Sequence, residues 1–407
     1  IGGCATQSPA PAKPVVRPKV ALVGTVVRKL SHAQHFVDRL LEGYGWQGGH
    51  HQTAVELVSM YVDQFPEGDL ARERSKRHNV PIYPTTAEAL TRGGSKLAVD
   101  GVLIIGEHGE YPKNELGQTL YPRYPFFKQC VKMFEDSGRS VPVFNDKHLS
   151  TDWDHCVEMV ADSKRLGFPF LAGSSLPVTW RIPSVEVPLD TSLEESVSLC
   201  YGGVDSYDFH GLETAQCMSE RRPGGEVGIK SVLAVKGSRV CDLLDERPKT
   251  RRLVFAALAR SHTVVGPGGY TYWLPDMSWL RQHGSTLVGY FIEHRDGFRT
   301  TMIMMNGILS DFTYAGGVRG SDRSVSCQMY LPMPPTNTTL ADFFNPLMNN
   351  VERMMVEGKA PYPVERTLLT SGMTLACVKS LHEGKAVETP EMKVEYRAPR
   401  ESWFWRT

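Results

Sequence analysis

The sequence predicts an α/β fold: an N-terminal doubly wound parallel sheet over residues 19–177, then a C-terminal α+β domain with a largely antiparallel sheet over 178–407. Three observations carry that expectation. Short, continuous apolar runs alternate with helix-period segments through the first 150 residues, the pattern of strands buried on both faces. Beyond Pro177 extended runs instead follow one another directly, as in an antiparallel sheet. A chain of 407 residues, at about 150 per domain, also suits two or three units.

Taken in order, Val20-Ala-Leu-Val-Gly24 is an apolar run closed by glycine, a buried strand. Ser31 to Tyr44 carries Phe36, Val37, Leu40 and Leu41 at helical spacing, with Ser31 as its cap. Val55 to Val62 is a second strand that ends at Asp63; a polar helix at Asp69–His78 and a short strand at Pro81–Tyr83 follow. Thr85-Thr-Ala-Glu88 has the capping-box form that opens a helix. Val99 to Ile105 is a strongly apolar strand, Phe126 to Ser137 a helix and Val141 to Phe144 a further strand. An insertion, Tyr111 to Tyr124, precedes that helix; Tyr111, Tyr121 and Tyr124, with Phe126 and Phe127, are candidates to stack on sugar rings. Gly173 to Pro177 closes the domain as a hinge loop facing the cleft. In the second domain Thr179–Leu189, Val232–Gly237, Val288–Glu293, Arg299–Asn306 and Asp311–Ala315 read as extended. Arg251–Arg260, Thr338–Gly358 (the stripe Leu340, Phe343, Leu347, Val351) and Thr367–Gly384 read as helices. Gly266–Gly269 and Gly316–Gly320 lack a P-loop lysine and read as turns, and Trp403 and Trp405 as a packed C-terminal arm.

Charge and sulfur exclude several classes. Lys and Arg total 45, as do Asp and Glu, so the clustered basic surplus that nucleic-acid binding needs is missing. With 41% hydrophobic and 22% charged residues, the chain has the composition to bury a core. No run reaches the ~18 apolar residues of a bilayer-spanning helix. The eight cysteines form no CxxC pair and show no zinc-ligand spacing; Cys130, Cys156, Cys200, Cys217, Cys241, Cys327 and Cys377 read as reduced core thiols. The chain opens at Ile1 rather than Met, so an upstream segment is expected to precede it. Ile1-Gly-Gly-Cys4 resembles a bacterial lipobox, and the Pro-, Ala- and Ser-rich stretch behind it, to Pro18, reads as a tether. The expectation is an exported protein, periplasmic or membrane-anchored through a lipidated Cys4.

Four stretches carry a more specific likeness: Asp69 to Tyr83 with Ala87-Glu-Ala-Leu90; Val99-Asp-Gly-Val-Leu-Ile-Ile105; Ser137 to Ser150; and Gly202-Gly-Val-Asp-Ser-Tyr-Asp-Phe-His210. In order and spacing they resemble the Gfo/Idh/MocA oxidoreductases, the relatives of glucose–fructose oxidoreductase and inositol dehydrogenase, over about residues 19–215. The resemblance implies a Rossmann-like dinucleotide domain, NAD or NADP as cofactor, and a carbohydrate or polyol as substrate. It places Lys147 on the family's active-site lysine and His210 on its catalytic histidine. A histidine near its ordinary pKa of ~6.5 suits general-base work, and an ammonium beside the reacting oxygen stabilises the alkoxide. Gly24, Arg28, Asp63, Glu107 and Asp146 fall at cofactor positions; His108, Tyr124 and Asp205 fall beside the substrate. Open sheet faces in such two-domain enzymes serve for homo-oligomers.

The sequence also departs from that pattern. Gly24-Thr-Val-Val-Arg-Lys-Leu-Ser31 keeps one glycine of the phosphate-binding turn, and Val26 stands where the second belongs. Glu107-His108 replaces Thr-Pro, Asp146 replaces Glu and His148 replaces Pro. A second chemistry follows, a non-redox lyase or hydrolase in which Glu107, His108, Glu110, His148 and the pair His50-His51 hold Zn or Mn. The third expectation is a non-catalytic carbohydrate-binding protein on a degenerate scaffold.

Overall fold

A computed structural model describes residues 17–265, 275–332 and 341–404. The lipobox-like Ile1–Cys4, most of the tether, Gly266–Gly269, Leu340 and Trp405 lie outside the described residues.

The first sheet contains β1 (Lys19–Gly24), β4 (Glu56–Val62), β5 (Ile82–Tyr83), β6 (Gly101–Ile105), β7 (Val143–Asp146) and β8 (Phe170–Gly173), with a small hairpin of β2 (Tyr44–Trp46) and β3 (Gly49–His51) beside it. Its order is β5-β4-β1-β6-β7-β8, with every pair parallel. The chain runs outward from β1 through β4 to β5, then returns to β6 on the other side. The reversal leaves a crevice outside the ends of β1 and β6, where sheets of this kind take ligands. Helices α1 (His32–Glu42), α2 (Ala71–His78), α3 (Thr86–Thr91), α4 (Arg123–Ser137) and α5 (Trp153–Leu166) make the crossovers. Ser31, Thr85 and Asp152 cap α1, α3 and α5 by accepting from the amides of Gln34, Glu88 and His155.

The second sheet has the order β16-β11-β12-β13-β10-β14-β15-β9, and only β10 and β13 run parallel in it. Its strands are β9 (Arg181–Ile182), β10 (Leu193–Cys200), β11 (Ile229–Lys236), β12 (Leu287–His294), β13 (Arg299–Met305), β14 (Phe312–Val318), β15 (Ser324–Met329) and β16 (Val387–Glu388). The extended stretch expected over Thr179–Leu189 shrinks to β9, because Pro183 and Pro188 cannot donate to a ladder. Gly316 and Gly317 lie inside β14 rather than in a turn, and a Cβ on Gly316 would strike the Tyr314 hydroxyl.

One face of this sheet packs on α6 (Asp208–Ser219) and α11 (Glu365–Glu383). The other is covered by α7 (Arg239–Asp245), α8 (Pro248–Leu258) and α9 (Met277–Gln282), whose Leu244, Leu253 and Leu280 form a core of their own with Val197, Phe291 and Ile303. The sheet face expected to serve an oligomer is therefore already lined by the chain's own helices. Helix α10 (Phe344–Glu357) returns to the first domain, where Glu352 accepts from Tyr44 and the Ala54 amide and Asn345 accepts from Arg39. Among the described residues, seven cysteines are buried and form no disulfide.

Candidate active site

The ends of β6, β7 and β8 face the start of α6, and a cavity of about 310 Å³ lies between them. The first domain contributes His32, Glu107, His108, Asp146, Lys147 and Ser174 to its walls; the second contributes Ser206, Tyr207 and His210. Phe343 and Phe344, at the start of α10, close one side.

Lys147 follows β7 directly and adopts a left-handed backbone, φ 63°. Its amide bonds Gly173 O at 3.0 Å, while Nζ donates to Ser206 O at 2.9 Å and lies 3.3 Å from Glu107 Oε1. An ammonium has three donors, so one remains for a ligand. Glu107 is in turn held by the fully buried Arg123, Nη2 to Oε2 at 2.9 Å. Burial alone would raise the Glu107 pKa, but the Lys147 and Arg123 charges hold it well below the carboxylate range. Arg123 Nη1 also donates to His148 Nε2 at 3.1 Å.

His210 projects from the first turn of α6. Burial, then the neighbouring Lys147 charge, pushes its pKa well below the ordinary 6.5 rather than leaving it there, so the ring is a neutral base across physiological pH. Its Nδ1 has no partner within the protein. His108 and His35 are both lowered to about 3, chiefly by burial. Three non-glycine residues that line the cavity, Leu30, His108 and Lys147, have positive φ. Each such residue costs on the order of 1 kcal/mol, and strain of this kind clusters at functional sites.

One turn further along α6, Glu213 accepts from the amide and hydroxyl of Ser174 at 2.7 and 2.5 Å, and its Oε1 is unpartnered. Burial raises its pKa from 4.5 to about 7. Its proton stays on in the fold where the unfolded chain has lost it, so this contribution to stability is present below about 4.5 and lost as pH rises through about 7. Glu213→Gln is expected to flatten that decline, on the order of 2 kcal/mol between pH 5 and 8 in urea unfolding.

The structure thus brings Lys147, His210, Glu107, Asp146 and His108 to one cavity. Other expected site residues are placed elsewhere. Tyr124 lies on the outer side of α4, stacked on His155 at 3.7 Å and bonded to Glu158. Phe126 and Phe127 are core residues, and of the insertion's aromatics only Tyr121 reaches the cavity wall. Asp205 accepts from Gln118 and the Thr119 amide, which ties the insertion to the second domain. His50 bonds Glu42 O and His51 bonds Glu352, both on the hairpin side; among the described residues no three His, Cys, Asp or Glu side chains form a metal-holding group. Ser174 lies in the Gly173–Pro177 loop expected to face the cleft, whereas His32, Arg123 and Phe344 were not singled out by the sequence; a histidine opening a helix behind the first strand was the signal for His32.

A fold of this type implies a dinucleotide lying across the ends of β4, β1 and β6, and the residues here do not fit one. Asp63, the ribose position, accepts the Tyr61 and Tyr111 hydroxyls, one on each oxygen, both at 2.6 Å. Gln64 pairs with the Glu110 backbone in both directions and pins the insertion over β4. Thr25, Val26 and Val27 are fully buried, and Gly109, at φ 99°, leaves room for the Tyr111 ring, which a Cβ there would strike. Three amides of the turn and helix start are engaged within the chain: Arg28 N and Gln34 N donate to Ser31 Oγ, and Leu30 N to Gln34 Oε1. The Arg28 guanidinium bonds Lys29 O, and Gly24 packs on Ala33.

No family model matches the chain, and no curated protein matches it in sequence. Solved structures match it along nearly its whole length, and its fold is that of Gfo/Idh/MocA-type inositol dehydrogenases and NAD-dependent oxidoreductases. GenD2 from gentamicin A biosynthesis, in complex with NAD, is 13% identical, with 94% of this chain and 99% of that one covered at a TM-score of 0.56. Myo-inositol dehydrogenase from Lactobacillus casei, in complex with NAD(H) and myo-inositol, is 11% identical over 92% and 97% at 0.54. Myo-inositol 2-dehydrogenase from Lactobacillus plantarum is 11% identical over 92% and 99% at 0.52.

Proposed function

We propose that the chain is an enzyme that acts on a small polyhydroxylated compound, a carbohydrate or a polyol derivative, by proton transfer in the cavity between its two domains. The observation that carries this reading is the convergence of Lys147 and His210, from different domains, on one enclosed space of about 310 Å³. That volume suits a sugar-sized ligand. Ser174, Ser175, Ser206, Tyr121 and Tyr207 offer hydroxyl or carbonyl partners along the wall, Lys147 and Arg123 both pair with Glu107, and Asp146 pairs with His32. Such a lining favours an uncharged polar ligand. In this reading neutral His210 takes a proton from the ligand, and Lys147 donates to the oxygen that gains charge.

A second reading, NAD(P)-dependent oxidation of the same class of compound, is favoured by the NAD held in the structural neighbours. It requires Tyr111 to release Asp63 and the insertion to leave the crevice. Thermal unfolding with added NAD or NADP separates the two. A ligand at about a hundred times its Kd stabilises by ~2.7 kcal/mol, a shift of degrees. The first reading expects no shift and no nucleotide released from the denatured protein, together with calorimetric binding of myo-inositol, glucose or their ketones. A saturable nucleotide response selects the second.

A further inference from the structure

With the proton assigned to His210 and the developing charge to Lys147, one pair in the cavity wall is left without a task. His32 opens α1 and Asp146 ends β7, and their side chains meet at 2.6 Å, above the end of β6 that lies between β1 and β7 in the sheet. Asp146 is 1% exposed, and its other oxygen, Oδ1, has no partner. A carboxylate only accepts, so the proton of this contact sits on His32 Nδ1 and leaves Nε2 as the working nitrogen of a ring that lines the cavity. Edge contacts with His108 at 5.4 Å and Phe344 at 5.2 Å fix the plane of that ring. An imidazole oriented by a buried carboxylate and open to a ligand space is a built acid–base group. It also bridges the crevice that a nucleotide would need.

We propose that His32, positioned by Asp146, is a second proton-transfer residue, and that it and His210 together epimerise a carbon bearing a hydroxyl next to the carbonyl of a polyhydroxylated ketone or aldehyde. The inference deepens the sugar-directed reading of the cavity and rests on it. One imidazole removes the proton from that carbon. The C–H electron pair becomes the C=C bond of an enediolate as the carbonyl π pair moves onto oxygen, where the spare Lys147 N–H receives the charge. His210, the neutral ring, is the one that removes the proton; His32, entering the step protonated, returns a proton to the opposite face while the oxygen lone pair re-forms C=O. The centre is inverted, all electrons stay in the substrate and no oxidant is consumed. Exchange of the two rings with solvent restores their starting protonation.

The test is solvent exchange in D2O without nucleotide, using D-fructose, L-sorbose and 2-keto-myo-inositol as probes, read by NMR and mass spectrometry. At least one probe is expected to gain a single deuterium at the carbon beside its carbonyl and to yield its epimer. His32→Gln is expected to slow interconversion about 100-fold while His210 still washes deuterium into the epimer it deprotonates. Asp146→Asn is expected to lower kcat about 10-fold at unchanged KM. A merely structural role would not separate exchange from interconversion. Binding of a probe without exchange, exchange that needs NAD(P), or parallel loss of exchange and interconversion in His32→Gln overturns the epimerase inference and leaves the cavity reading standing. Failure of every probe to bind overturns both.

Discussion

Replacing Arg123 with methionine is expected to lower the stability of the chain by about 3–5 kcal/mol, the range for stranding one member of a buried ion pair. The arginine is among the largest fully buried side chains, and its two terminal nitrogens serve Glu107 and His148. Methionine fills much of the volume but supplies no donor. Glu107 then keeps Lys147 as its sole cationic partner, and His148, whose Nδ1 is already unpartnered, loses its remaining hydrogen bond. Denaturant unfolding of the single variant and of Arg123→Met/Glu107→Gln measures this. The double variant should recover part of the loss, because the carboxylate that lost one of its two cations is gone, while Lys147 keeps its bond to Ser206 O. A double variant as unstable as the single one would show that the arginine acts by packing against Gly106 and Tyr121 rather than by charge.

Lys147→Met is expected to lower turnover at the cavity about 10²–10³-fold, as loss of one donor to transition-state charge does. The effect should fall on kcat more than on KM, since the donor matters most when the oxygen carries charge. Lys147→Arg should not rescue, because a planar guanidinium does not fit a position already shared with Ser206 O and Glu107. The acid limb of the pH–rate profile carries the sign of the His210 shift. A base held well below its ordinary pKa keeps its activity as pH falls through 6 and loses it only where the ring finally takes a proton. Retained fast turnover in Lys147→Met would remove the lysine from the chemistry.

The first domain was legible because parallel strands buried on both faces leave apolar runs: β1, β4 and β6 stand within two residues of where those runs lie. The caps at Ser31 and Thr85 are local chemistry and were equally readable. Lys147 and His210 were found by motif order, and the structure brings them together although 62 positions of sequence lie between them. What sequence withheld is pairing at long range. The His32–Asp146 contact joins residues 114 apart, Tyr111–Asp63 joins residues 48 apart, and α10 docks on α1 from the far end of the chain. Nothing in local periodicity announces such contacts. Tyr124 illustrates the converse: its type suited a sugar platform, but its register on α4 turns it toward α5.

The layer formed by α7, α8 and α9 has a consequence for how the molecule meets its ligand. With that face of the large sheet covered, the walls described for the cavity come from its opposite face, through α6, and from the first domain.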